Sequence, residues 1–128
     1  MYCAVAPDGE LVGDALLVAV GYRPNVGGLE LQRAGVTYSE GGIQVDDHLR
    51  TSQRHIYAAG DCLGGYQFTH HAGWQGFMAA RNALLPGRTR GIVERVPWTT
   101  FTDPEVAHVG LGEARARDRL GSDIMTCE

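Results

Sequence analysis

Short apolar runs that end at glycine are the feature that most limits how this chain can fold. The 128 residues include 18 glycines, about twice the average usage of roughly 7%. They fall at the ends of apolar runs, of which residues 15–20 form the longest. Glycine adopts positive φ and allows a close approach of backbone, so the pattern predicts short strands joined by tight turns. The length is enough for one ordinary domain with its own core.

Local patterns predict a mixture of helices and strands. Residues 7–10, which include Pro7 and Gly9, predict the turn of a hairpin, and residues 15–20 predict a strand buried on both faces. Further strands are predicted at 43–45, 56–59, 98–101, 106–109 and 124–127, and helical segments at 29–34, 69–85 and 113–120. In the longest helix, small residues recur at helical spacing and predict a face that packs closely on its neighbours: Ala72, Gly76, Ala80 and Ala83.

Composition excludes several classes of partner. The net charge of −4 argues against nucleic acid, because phosphate binding depends on clustered Lys and Arg. No apolar run approaches the length of a membrane helix, and no secretory signal is visible. Cys3, Cys62 and Cys127 are widely separated, form no zinc spacing with histidine, and are predicted to be free thiols in a reducing compartment. We expect no metal site and a cytoplasmic location.

Asp61 follows a predicted strand that ends in three small residues. Open α/β sheets bind cofactors at the carboxyl ends of their strands, so this carboxylate could accept hydrogen bonds from sugar-type hydroxyls. Asp61 is about as well explained as a turn residue or a helix cap as it is by a ligand-binding role. From the residues alone, both interpretations stay open.

Residues 67–70 lead into the longest helix and form a second candidate site. The first backbone N–H groups of a helix are unpaired and its dipole is positive there, which suits a carbonyl or an anion. Thr69 could instead be a plain N-cap. His70 and His71 are adjacent and therefore diverge on a helix, which makes a metal site between them improbable.

Four motifs, taken together, resemble the pyridine nucleotide-disulfide oxidoreductases, a family that includes dihydrolipoamide dehydrogenase, glutathione reductase and mercuric reductase. They are residues 21–25 (GYRPN), 51–52 (TS), 56–61 (IYAAGD) and 101–107 (FTDPEVA), in the family's order and spacing. Residues 64–70 are most similar to the mercuric reductase-like branch. The resemblance implies an α/β (mixed α+β) fold: a partial FAD/NAD(P)-binding Rossmann-like domain followed by the start of an α+β interface (dimerisation) domain.

The resemblance also implies the domain boundaries and the cofactors, FAD and NAD(P). Residues 1–21 would end the NAD(P)-binding domain, residues 22–95 would be the returning segment of the FAD-binding domain, and residues 96–128 would start the C-terminal dimerisation domain. Asp61 would bind the ribityl chain of the flavin. The pyrimidine edge of the flavin would lie along Gln67, Phe68, Thr69 and His70, with backbone N–H groups at the flavin O2 carbonyl. Gly21 would lie beside the nicotinamide.

The implied activity is transfer of electrons from NAD(P)H through FAD to a disulfide or a related acceptor. The family's reactive cysteine pair, both glycine-rich fingerprints and the late His-Glu pair are missing, so we expect a fragment without catalytic residues that is inactive alone and binds FAD weakly or not at all. We expect exposed apolar surface and a homodimer or other self-association. Two alternatives remain: a non-catalytic module that only folds and self-associates, and a flavin reductase relative that lacks the cysteine pair.

Overall fold

The predicted turn residues form the first hairpin. In the computed structural model, which describes residues 1–93 and 95–121, strand β1 (Tyr2–Ala6) runs antiparallel to β2 (Gly9–Gly13). Gly9 opens β2 with a φ of 138°, a conformation that costs glycine little and other residues much. The hairpin prediction is confirmed, and its strands are almost entirely exposed.

The buried strand predicted at residues 15–20 is wrong for the described part of the chain. These residues belong to no strand and are exposed throughout, with Leu17 at 89% and Val20 at 93% exposure. A strand buried on both faces needs hydrogen-bonding neighbours at its edges and packed layers on its faces. None of the described elements supplies them, so the apolar run lies in solvent.

A small apolar core lies between residues 26 and 63. Its buried members are Leu31, Val36 and Ile43, and half-buried side chains pack around them: Val26, Tyr38, Val45, Ile56, Ala58, Cys62 and Leu63. Leu31 lies in a helical turn that ends at Gly35, whose φ is 69°, as predicted for residues 29–34. Ile43 belongs to β4 (Gly42–Ile43), which pairs antiparallel with β3 (Tyr38–Ser39).

The segment predicted as a strand at residues 56–59 forms only a short antiparallel contact. Tyr57 bridges Arg50, and the neighbouring amides of Thr51 and Ala58 donate to the carbonyls of Ile56 and Leu49 at 3.0 and 3.1 Å. The chain then enters a short 3₁₀ helix at Gly60–Leu63. The predicted strand is therefore an extended segment that leads into this turn.

The longest helix, α1 (Thr69–Leu84), has the predicted bounds to within one residue but buries a different face. Its buried residues are His71, Gln75, Ala79 and Asn82. Of the predicted small-residue face, Ala72 is half-buried, and Gly76, Ala80 and Ala83 are exposed. Small side chains permit a close approach, but the described elements pack on the polar stripe beside them.

The C-terminal part contains a second hairpin and a second helix. Strand β5 (Trp98–Thr100) pairs antiparallel with β6 (Val106–His108), and α2 spans Glu113–Leu120. Both agree with prediction, whereas the strand predicted at residues 124–127 lies outside the described residues. In the described part, no helix is long and apolar enough to cross a membrane.

Helices and strands together confirm the mixed α and β character of the fold, although the described sheets are two-stranded and antiparallel. The accessible surface is 10237 Å², whereas a compact monomer of this mass exposes about 6,600 Å². Large apolar side chains are among the exposed ones, such as Tyr22 at 86% and Phe101 at 84%, which confirms the predicted exposure of apolar surface.

Candidate functional site

The start of α1 has no side-chain cap. Its N-cap residue is Phe68, in an extended conformation with φ −119° and ψ 138°, and phenylalanine carries no hydrogen-bond acceptor. The first amide to bond back is that of Ala72, which donates to the Phe68 carbonyl at 2.9 Å. Thr69 is the first helical residue, so its interpretation as a plain N-cap is excluded. The leading N–H groups of α1 thus keep their ability to bind a carbonyl or an anion.

Asp61 lies in the 3₁₀ helix that precedes α1. Its backbone carbonyl closes the turn by accepting the amide of Gly64 at 3.0 Å, and it also lies 3.5 Å from the side-chain nitrogen of Gln67. The N-cap of this short helix is Ala59, so Asp61 does not cap it. The Asp61 side chain is exposed. The turn uses the backbone of Asp61, and its carboxylate is free to accept hydrogen bonds from a ligand.

The turn that carries Asp61 is fixed to α1 at two points through Gly60. The amide of Gly60 donates to Oε1 of Gln75 at 2.9 Å, in a buried position. Gly60 also packs so closely on Ala72 that a Cβ added to it would lie 3.0 Å from the Ala72 Cβ. Ala72 and Gln75 are three residues apart and therefore share one face of the helix. Contacts of Gly60 thus join the Asp61 turn directly to the first half of α1.

Residues Gln67, Phe68, Thr69 and His70 line one open cavity of about 470 Å³, which is closed on its other side by residues 97–99 and Phe101. The Phe68 ring stacks on His70, with 5.6 Å between centroids and 11° between planes. It also stacks on Trp98 at 6.5 Å and 10°. These rings form a flat aromatic wall beside the helix start.

His70 joins α1 to the C-terminal part. Its Nε2 lies 2.7 Å from the carbonyl oxygen of Pro97, just before β5. His71, the next residue, turns inward, is buried, and stacks on Trp74 at 6.0 Å and 16°. The two histidines diverge as predicted. Within residues 1–93 and 95–121, no three His, Cys, Asp or Glu side chains are grouped closely enough to hold a metal ion.

The structure does not bring all six predicted residues to one place. Asp61 does not line the 470 Å³ cavity, although its turn is bonded to the same helix. Gly21 is exposed, has a φ of 137°, and has no atom within 4 Å of an added Cβ. A larger cavity of about 920 Å³ is lined by none of the six residues, but Gln75 lines it.

Sequence reasoning missed Gln75, which is only 4% exposed. A glutamine on a helix carries no local signal of its role, because its partner Gly60 lies 15 residues away. The available indication was its spacing from Ala72, which places both residues on the face that meets the preceding turn.

Comparison with known proteins gives a consistent result. Residues 4–76 match the sequence profile of a family described as pyridine nucleotide-disulphide oxidoreductase. A dihydrolipoyl dehydrogenase of Bacillus subtilis (strain 168) is 44% identical over 109 residues, covering 84% of this chain and 23% of that protein. A mercuric reductase of Staphylococcus aureus is 41% identical over 114 residues, covering 88% of this chain and 21% of the relative.

A solved structure is also similar. The HOCl-induced flavoprotein disulfide reductase RclA from Escherichia coli superimposes with a TM-score of 0.76 and 32% identity, covering 91% of this chain and 27% of that chain. In each comparison the chain spans about a quarter of the length of the protein it matches.

Proposed function

Because the chain belongs to the pyridine nucleotide-disulphide oxidoreductase family, we propose that it forms one wall of the flavin site in a protein that passes electrons from NAD(P)H through FAD to a disulfide or a related acceptor. FAD, when bound, supplies hydride acceptance from the nicotinamide and onward electron transfer. The residues of this chain bind and orient the cofactor, and none of them is proposed as catalytic.

The observation that carries this proposal is the uncapped start of α1 beside the Asp61 turn. Leading amides at a positive helix end favour a carbonyl oxygen that gains negative charge on reduction, as the flavin O2 does. The exposed carboxylate of Asp61 suits the hydroxyl donors of the ribityl chain. Since Gly60 bonds to Gln75 of the same helix, the two sets of groups keep a fixed spacing.

We also propose the domain assignment that the resemblance implies. Residues 1–21 would end the NAD(P)-binding domain, which places Gly21 beside the nicotinamide. Residues 22–95 would return to the FAD-binding domain, and residues 96–128 would start the dimerisation domain. The bond from His70 to the Pro97 carbonyl and the stack of Phe68 on Trp98 support a junction where flavin-binding residues meet the last domain.

The proposed protein is cytoplasmic and works as a homodimer. Cys3 and Cys62 are free thiols in the structure, as is usual for a reducing compartment. The apolar side chains in solvent, such as Val20 and Phe101, favour further contacts with other chain segments or with a second copy.

The exposed surface also favours a second candidate, a module that self-associates without binding flavin. Light scattering tests this candidate: a chain that stays a compact monomer over a wide concentration range would contradict it. The flavin proposal does not depend on that result.

The experiment that tests the flavin proposal is a titration of the isotope-labelled chain with FAD, followed by the backbone amide resonances. Of weak binding and no binding, we expect weak binding, which fast exchange reports residue by residue even at millimolar affinity. We expect shifts at Asp61 and at residues 67–70, with none in the β1–β2 hairpin. The chain itself should purify without stoichiometric flavin.

Two variants make the titration specific. Asp61→Ala removes a charged acceptor and should weaken FAD binding about tenfold or more. Asp8→Ala, in the exposed hairpin turn, removes the same charge elsewhere and should bind as the unsubstituted chain does. Equal binding by both variants, or shifts that avoid the start of α1, would refute the proposal.

A further inference from the structure

Gln75 is a buried polar side chain whose amide bonds to two chain segments outside its own helix. Its Oε1 accepts the amide of Gly60 at 2.9 Å, and its Nε2 donates to the carbonyl of Gly91 at 3.4 Å. We propose that Gln75 is a positioning residue for flavin binding, which acts by holding the Asp61 turn at a fixed distance from the start of α1. This inference rests on the proposed function above.

The geometry at Gly60 explains why the position of Asp61 depends on Gln75. Gly60 adopts a φ of 81° and lies so close to α1 that a Cβ added to it would be 3.0 Å from the Ala72 Cβ. Packing limits movement toward the helix only, whereas the hydrogen bond from Gly60 to Gln75 limits movement away from the helix. Asp61 is the next residue, so a change at Gly60 displaces its carboxylate directly.

The second bond of Gln75 extends the same unit toward the C-terminal part. Gly91 is buried, and its amide donates to the Asp47 carbonyl at 2.8 Å. An added Cβ on Gly91 would lie 2.3 Å from Cδ1 of Leu49, which is fully buried. Gln75 therefore bonds to two glycines that are each packed closely against a neighbour.

Only a side chain with both an acceptor and a donor can make these two bonds. Methionine has a similar volume but leaves the Gly60 amide and the Gly91 carbonyl without a partner. Glutamate keeps the acceptor, and burial would favour its protonated form, which can also donate. Gln75→Met and Gln75→Glu thus separate the hydrogen bonds from the packing of the side chain.

Asn82 provides the matched control on the same helix. It is also a buried amide, but its partners are His48 and Thr89 rather than the Asp61 turn. Asn82→Ala should reduce stability without changing the position of Asp61. The experiment compares the unsubstituted full chain, Gln75→Met, Gln75→Glu and Asn82→Ala under conditions where each gives a folded spectrum.

Two measurements are made on each variant: amide hydrogen exchange without ligand, and the FAD titration by amide resonances. Gln75→Met should speed exchange at Gly60 by about tenfold relative to amides late in α1, and should weaken FAD binding about tenfold, as expected for a lost buried hydrogen bond. Gln75→Glu should stay within about threefold of the unsubstituted chain in both, and Asn82→Ala within about twofold.

The outcomes separate this inference from the proposed function. If the unsubstituted chain shows no FAD-dependent shifts at the site, the proposed function fails and the role of Gln75 fails with it. If that chain binds but Gln75→Met binds equally well, or if Gly60 exchange is unchanged in Gln75→Met, the inference about Gln75 alone is overturned. A loss of affinity as large in Asn82→Ala as in Gln75→Met would also overturn it, because it would indicate a general effect of stability.

Discussion

Replacement of Asn82 by alanine tests whether the buried polar face of α1 stabilises the fold. The Asn82 side chain is buried and makes three hydrogen bonds. Its Nδ2 donates to the carbonyls of His48 at 3.0 Å and Thr89 at 2.7 Å, and its Oδ1 accepts the amide of Thr89 at 2.9 Å. These bonds connect the C-terminal half of α1 to a turn 34 residues earlier and to the segment that follows the helix.

The expected cost follows from which partners lose their hydrogen bond. In Asn82→Ala the Thr89 amide and the His48 carbonyl lose this partner, whereas the Thr89 carbonyl still lies 3.2 Å from Nδ1 of His48. A buried polar group left unpaired costs about 1–3 kcal/mol. Both residues are half-buried, so water can compensate in part, and alanine improves helix propensity by roughly 0.5 kcal/mol. We expect a net loss of about 2 kcal/mol in the free energy of unfolding.

Urea unfolding followed by circular dichroism measures this loss. With a slope of about 2 kcal/mol per molar, the midpoint of Asn82→Ala should fall by roughly 1 M. Asn25→Ala is the matched control, because Asn25 is exposed in a loop and the same substitution there should change stability by less than about 0.5 kcal/mol. A midpoint shift in Asn82→Ala no larger than that of Asn25→Ala would refute the reasoning.

Three further predictions use the same unfolding assay. Gly60→Ala should lose about 1–3 kcal/mol, because the φ of 81° is strained for alanine and the new Cβ would lie 3.0 Å from Ala72; an unchanged midpoint would contradict the close packing. Gly76→Ala should gain roughly 1 kcal/mol, since Gly76 is an exposed helical residue with nothing within 4 Å of an added Cβ. Burial lowers the pKa of His71 below its usual range, and the adjacent His70 lowers that pKa further. Between the lowered pKa and about 6.5, the unfolded chain therefore binds more protons at His71 than the folded chain does. The stability contributed by neutral His71 is complete above about pH 6.5 and declines as the pH falls toward the folded-state pKa. His71→Phe should reduce this decline, and an NMR titration that gives His71 a pKa of about 6.5 or higher would count against the burial argument.

Elements specified by local chemistry were predicted well from the sequence. The β1–β2 hairpin depends on its turn residues, and α1 depends on helical periodicity that ends before Pro86 and Gly87. The strand at residues 15–20 depends instead on neighbours that the described residues do not contain, so its apolar composition did not determine its environment. Burial of a strand on both faces is a property of the whole sheet, and a single segment cannot encode it.

In the candidate site, too, the features set by local sequence were predictable and those set by distant contacts were not. That α1 starts at Thr69 was predictable, and that Phe68 leaves the helix uncapped follows from its lack of an acceptor. The buried face of α1 was not predictable from small-residue spacing. It carries His71, Gln75 and Asn82. The partners of Gln75 and Asn82 are distant in the sequence, and the role of His71 depends on its burial.

The polar face of α1 accounts for how a chain with so little apolar core can hold the geometry of the proposed flavin site. The buried core consists of a small cluster around Leu31 and Ile43 and a few separate apolar side chains such as Leu49. Packing of this extent limits the positions of surrounding loops only weakly. Gln75 and Asn82 bond to backbone amides and carbonyls, which are directional partners. A directional bond to the backbone fixes a loop at one distance and one orientation, whereas apolar contact tolerates sliding. The position of the Asp61 turn therefore depends on the buried amide of Gln75 more than on the area of the apolar core, whereas Asn82 fixes the segments around His48 and Thr89.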